Sequence, residues 1–348
     1  MSTATTAACA SDEDRLRRHS GVSALIRRPE LASLLGLALV FALFMFVAPA
    51  FRSLDAVATV LYASSTLGIV ALAVGLLMIG DEFDLSSGVA VTTAALAATM
   101  LNYNLHLNVW VGAVIALGIS LAIGALNGVL VTRTGIPSFL ITLAAFLMLQ
   151  GLNLAVTKLV TGQVATPSIS NMAGFDSARA VFASSFSIGG VSIRITVVWW
   201  LLFVAVASFV LFRTTFGNWI FAVGGNQDAA RASGVPVARV KIILFMTVAF
   251  AAWFVGMHTL FAFDSIQAGQ GVGNEFLYII AAVIGGCSMN GGRGTAIGTA
   301  IGALIFGLTN QGIVYAGWNP DWFKFFLGAM LLFAVFTNTA FTRYTDSR

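Results

Sequence analysis

Charge is what this chain has least of: 9% of its 348 residues are Asp, Glu, Lys or Arg, against about a quarter in an ordinary soluble domain. That scarcity excludes a water-solvated globule. Cysteine is scarcer still, with Cys9 and Cys287 far apart in sequence, which leaves no disulfide framework and no cysteine-based metal site. The three histidines, His19, His106 and His258, are equally scattered, so none belongs to a metal or nucleophile motif with partners at diagnostic spacing. Lysine occurs only at 158, 241 and 324, never after Gly or before Ser or Thr. The glycine-dense run GGCSMNGGRGTAIGTAIGALIFG at 285–307 therefore lacks the Lys-Ser/Thr of a phosphate-binding P-loop. It reads instead as a glycine-lined turn with Arg293, followed by a closely packed helix. No enzyme signature emerges.

What is present is apolar sequence, with 58% hydrophobic residues and a mean hydropathy of +0.92. Continuous apolar runs reach the roughly 20 residues needed to cross a bilayer core of about 30 Å. They do not alternate, so helices are predicted rather than barrel strands. The fold class is thus an all-α polytopic membrane protein with about ten membrane helices, near 31–50, 55–79, 86–103, 107–131, 137–157, 194–213, 242–263, 277–290, 295–315 and 322–340. The runs at 86–103 and 277–290 are short and read as broken or re-entrant. The first run, Leu31 to Ala50, is longer than a signal-peptide core and reads as an uncleaved span.

Basic residues give the orientation, because Lys and Arg favour the cytoplasmic side. With the N-terminus inside, 13 of the 18 fall inside, including Arg133, Arg213, Arg231, Arg239, Lys241 and Arg293. Arg52, Lys158, Arg179, Arg194 and Lys324 fall outside, as does the loop of about 158–193. Both termini are expected in the cytoplasm: a tail over 1–30, a membrane domain over 31–340 and a tail over 341–348. The net charge of +4 is dispersed around apolar segments, which excludes a nucleic-acid face.

Gly80-Asp-Glu-Phe-Asp-Leu recurs loosely as Gly273-Asn-Glu-Phe-Leu-Tyr, and Gly124-Ala-Leu as Gly302-Ala-Leu. The matching segments run in opposite directions in this topology, as in transporters built from two inverted five-helix repeats. Glycine-rich helices also produce such matches by chance.

Asp81, Glu82 and Asp84 lie between two apolar runs, where ionised groups are costly and usually functional. Capping of the next helix by Asp84 or Ser86 is a compatible reading. Ser86, Asn127 and Glu275 raise the same choice between structural hydrogen bonding and contact with a solute. The polar stretch 213–241 contains a short helix, Gln227 to Ser233, begun by Asn226 or Asp228 and ended by Gly234 and Pro236. Asp228 near its start and Arg231 near its end suit the helix dipole.

FDLSSG at 83–88, NGVLVTRTGIPSFLITLAAFLMLQG at 127–151, TTFGNWIFAVGGNQDAARASGVPVARVK at 214–241 and EFLYIIAAVIGGCSMNGGRGTAIGT at 275–299 together resemble one family. It is the ribose/xylose-type permease family of bacterial ABC sugar importers, more distantly related to branched-chain amino-acid permeases. The likeness covers nearly all of the chain after residue 30. It implies a membrane subunit that imports a sugar or related small polar solute by alternating access in the bacterial inner membrane. It also implies a second permease copy or paralogue, a periplasmic sugar-binding protein and a cytoplasmic ABC ATPase that uses ATP and magnesium. This chain would bind no cofactor or metal. The family's ATPase-coupling loop falls on Gly224, Gly225, Asn226, Ala229, Ala230, Arg231 and Gly234. Asp84, Ser86, Asn127 and Glu275 are then expected near the substrate path or its gates. Asn218 stands where the family often has Arg, and Ser87 where it often has Val; both bear on the partner and the sugar. The alternative is an ion- or proton-coupled secondary transporter, with the acidic residues as its ion sites.

Overall fold

A computed structural model of the chain describes residues 29–346. Most of the tail expected over 1–30, with Cys9, His19 and five arginines, lies outside the described residues, as does Arg348.

Every predicted apolar run is a helix. They are α1 (Pro29–Val47), α2 (Leu54–Ile79), α3 (Ser87–Leu105), α4 (Val109–Thr134), α5 (Ser138–Thr161), α7 (Ile195–Arg213), α10 (Val237–Phe263), α11 (Asn274–Ile284), α12 (Ala296–Tyr315) and α13 (Trp322–Asp346). The remaining α-helices among the described residues are short: α6 (Phe175–Phe182), α8 (Thr215–Gly225) and α9 (Gln227–Ala232). A small antiparallel hairpin, β1 (Ser185–Ile188) with β2 (Val191–Arg194), precedes α7.

Six helices, α2, α4, α5, α7, α10 and α12, are long and apolar enough to cross a membrane. Burial sorts them into two shells. The most apolar windows of α2, α10 and α12 are 78%, 72% and 67% buried inside the protein, whereas those of α4, α5 and α7 are 33%, 22% and 28% buried. The first three form the axis of the bundle and the others present apolar flanks outward, as lipid-facing helices do. Helices surrounded by lipid gain little from hydrophobic segregation, so close packing decides which of them meet. α12 lies against α2 and α11 through glycine: a Cβ at Gly307 would overlap Ser64 Oγ, and one at Gly302 would overlap the Ala281 carbonyl.

Two boundaries differ from expectation. The run predicted at 277–290 is the helix Asn274–Ile284, ended by Gly285 and by Gly286 in the left-handed region at φ +92°. At about 1.5 Å per residue its 11 residues span only about 16 Å, half a bilayer core. The C-terminal tail predicted from 341 is helical to Asp346. No Gly or Pro follows Gly328 to stop it.

α11 is reached through a segment, 264–273, that runs back into the bundle from the end of α10. Its backbone is satisfied by the loop after α5: Thr166 N donates to Ile266 O at 2.9 Å, Ala268 N to Val164 O at 2.9 Å and Ile169 N to Asp264 O at 3.0 Å. Non-helical backbone at this depth persists only when protein supplies such partners.

Candidate functional site

The elbow between α2 and α3, residues 80–86, brings three of the four path candidates together. Asp84, Ser86 and Asn127 are all nearly fully buried. Asp84 Oδ1 accepts from Ser86 N at 2.8 Å and Ser86 Oγ at 2.6 Å, and Asn127 Nδ2 donates to Ser86 Oγ at 3.2 Å. The capping expectation is not met: Ser86 occupies the N-cap position without a side-chain cap bond, and the Asp84 carboxylate accepts from Ser86 itself rather than from an amide of the first turn of α3. Burial pushes the Asp84 carboxyl up to about 6, partly offset by the two hydrogen bonds from Ser86. Further buried amides of the elbow are satisfied from α5: Phe83 N donates to Ser138 Oγ at 3.0 Å and Leu85 N to Thr142 Oγ1 at 3.1 Å.

Glu275 lies apart from that trio, at the start of α11, and accepts from Gly273 N at 3.1 Å. Gly88, in the first turn of α3, rests on the Glu275 carboxylate and the Gly271 carbonyl, where any side chain would overlap. The start of α3 therefore meets the start of α11, where the second of the two echoed motifs lies.

Beside this contact a cavity of about 270 Å³ opens between α2, α3, α10 and α11. Its polar wall consists of Tyr62, Thr66, Thr92, His258, Gln270 and Asn274, among others. The Phe182 carbonyl accepts from His258 Nδ1 at 2.8 Å; with that proton placed, Tyr62 donates its hydroxyl hydrogen to Nε2 at 3.0 Å. Among the described residues no Asp, Glu, Lys or Arg lines the cavity, and none of the four path candidates does. Of the four, only Glu275 adjoins a lining residue, Asn274; Asp84, Ser86 and Asn127 lie elsewhere, around the elbow. Sequence reading missed Tyr62 and His258. A histidine inside an apolar run is a signal, but its partners lie 196 and 76 residues away.

The polar stretch after α7 is more structured than one surface helix. Thr214 accepts from Gly217 N and starts α8, and Asn226 accepts from Ala229 N at 2.9 Å and starts α9. Gly234, at φ +83°, ends α9 in the left-handed region that glycine tolerates. The seven coupling-loop residues divide by face. Gly224 and Ala230 are buried, while Gly225, Asn226, Ala229, Arg231 and Gly234 are exposed. Gly224 lies against the Ile79 carbonyl and Gly292 N, and Gly292 N donates to Ile79 O at 2.8 Å. Arg231 and Asp228 form an exposed ion pair at 3.4 Å on the outer face. Behind α9, the buried Lys241 ammonium donates to Gln227 Oε1 at 2.7 Å and to Glu82 Oε1. Sequence reading named Glu82 and Lys241 separately and did not join them.

Comparison with known proteins accords with this architecture. Residues 56–335 match the family model described as branched-chain amino acid transport system / permease component. The galactose/methyl galactoside import permease protein of Escherichia coli K12 is 33% identical, over 86% of this chain and 90% of its own length. The ribose import permease protein of the same strain is 32% identical, over 88% and 92%. A probable ABC transporter permease protein, also of that strain, is 32% identical over 90% of each chain. No solved structure matches at a significant level. With most of its length covered, by a family model and by full-length relatives alike, the chain belongs to the permease-component family of the branched-chain amino acid transport system type.

Proposed function

We propose that the chain is the membrane subunit of an ATP-binding-cassette importer that moves a sugar, or a related neutral polar solute, into the cytoplasm by alternating access. The observation that carries this reading is α9. It is seated on the bundle by Ala230, continuous with the buried Gly224, and turns Asp228, Ala229 and Arg231 outward. A short helix held firmly from behind and bare in front is suited to receive a partner's groove and to pass on its movement. In this reading a cytoplasmic ATPase grips α9, hydrolyses ATP with magnesium, and drives the bundle between outward-open and inward-open states. Gly225, Asn226 and Gly234 shape the ends of the gripped helix.

The names of the relatives, ribose and galactose permeases, favour a sugar. So does the cavity wall, which offers hydroxyls, amides and one imidazole but no fixed charge. A zwitterionic amino acid would leave both its charges unpaired there, whereas a sugar needs only neutral hydrogen-bond partners. Asp84, Ser86, Asn127 and Glu275 act as gate residues. The hairpin and the 162–173 loop, at the end opposite α9, face the periplasm and its sugar-binding protein. A second permease copy or paralogue completes the pathway in the inner membrane, with both termini in the cytoplasm. The ion-driven alternative has less support, since Asp84 is engaged with Ser86 and Glu82 with Lys241.

Co-purification of the tagged chain with its ATPase, comparing wild type with Ala229→Glu and Arg231→Glu at equal membrane insertion, tests the reading. Wild type is expected to retain an ATPase subunit and the variants to lose it. Ala230→Glu is a poorer probe, because Ala230 is buried and its replacement unseats the helix itself. A folded wild-type chain that retains no ATPase overturns the proposal.

A further inference from the structure

One polar connection runs through the apolar interior behind α9. Lys241, in the second turn of α10, is 7% exposed and joins Gln227, the first residue of α9, to Glu82 in the elbow. Three separate elements thus share one buried ammonium. A buried ion pair is a poor source of net stability, since apolar residues of similar volume often do as well or better. Its presence here needs another reason. Pulling the Glu82 carboxylate away from Lys241 leaves buried charges unpaired, which is strongly unfavourable, and the Gln227 amide adds a neutral hydrogen bond to the same ammonium, so displacement of one group is resisted by the other two.

Of the elements they tie, α10 and the two helices that flank the elbow, α2 and α3, help to form the cavity. The elbow leads directly into α3, which contributes Thr92, α2 contributes Tyr62, and α10 contributes His258. A second contact runs in parallel, from Gly224 to Ile79 at the end of α2. Resting on the reading that an ATPase grips α9, we propose that Glu82, Lys241 and Gln227 are positioning residues that transmit displacement of α9 to the elbow and α10, and so to the cavity wall. They convert a push on one short helix into a concerted shift of the helices that enclose the solute.

Hydrogen–deuterium exchange of the intact permease–ATPase complex, with and without the non-hydrolysable nucleotide AMP-PNP, separates this inference from the reading beneath it. In wild type, nucleotide is expected to change exchange both at 226–233 and at 80–86. In Lys241→Met, and in the milder Gln227→Leu that keeps the Glu82 pair, the change at 226–233 is expected to persist while that at 80–86 falls at least threefold. The double swap Glu82→Lys with Lys241→Glu is expected to restore it, because the Gln227 amide then donates where it had accepted. An undiminished response at 80–86 in both single variants overturns the proposal, as does loss of both responses with the ATPase still bound. Absence of any wild-type response at 226–233 overturns the docking reading first, and this inference with it.

Discussion

Gly224 has no room for even a methyl group, since a Cβ there would collide with the Ile79 carbonyl and crowd Gly292 N. Both are backbone atoms, so relief requires moving α8 or the end of α2. Gly224→Ala is therefore expected to lower stability by roughly 1–3 kcal/mol, read as a lower melting midpoint in detergent, while Gly225→Ala, with open space around it, leaves it unchanged. Asp84 yields a pH dependence. Its folded-state pKa of about 6 lies above the ordinary carboxyl value of 3.8, so the folded state holds the proton more tightly. The stabilisation is fully present below about pH 4 and lost as pH rises through about 6. Between pH 5 and pH 7.5 that amounts to about 1–2 kcal/mol. Asp84→Asn keeps an acceptor for Ser86 but cannot titrate. Its melting midpoint is expected to stay flat over that interval, relative to a falling wild type.

At the scale of elements, the elbow is held as much by α5 as by its own residues. Thr142 Oγ1 accepts from Leu85 N and donates to Ser138 O at 2.8 Å. Thr142→Val keeps the shape but strands a buried amide, a change worth about 1–3 kcal/mol. Thermal unfolding should shift down accordingly, and Thr142→Ser should recover most of the loss. A variant as stable as wild type would mean that the elbow finds another acceptor. The long helices were legible because an apolar window bounded by charge is a local property. The helices α6 and α8 and the hairpin were not, because they are short and partly exposed. Asn226 and Gly234 marked α9 because capping chemistry is local as well.

Across the whole molecule, the exposed basic residues follow the two ends of the bundle. Arg133 closes α4, Arg213 closes α7 and Arg293 adjoins Gly292, all at the end that carries α9; Lys158, Arg179 and Arg194 lie at the other. By the positive-inside tendency, this distribution supports the proposed topology with α9 in the cytoplasm. In intact spheroplasts a membrane-impermeant maleimide is expected to label Ser170→Cys but to reach Ser233→Cys only after permeabilisation. Both positions are exposed and Cys287 is buried, and the test uses a Cys9→Ser background so that the introduced thiol alone reports. The reverse pattern would invert the topology and remove the cytoplasmic ATPase from α9.

The sequence by itself determined the membrane class, the ten apolar helices, the shortness of the α11 run and the motif resemblance, because each rests on composition or spacing within one stretch of chain. Only the tertiary structure decided which polar residues share a neighbourhood. Glu82 and Lys241 are 159 residues apart and Tyr62 and His258 are 196 apart, and no local pattern encodes their meeting. It also separated Ala230, which seats α9, from Arg231, which faces outward, although the two are adjacent in one motif. Consecutive helical positions point about 100° apart, and which face is covered depends on the distant elements that fold against it.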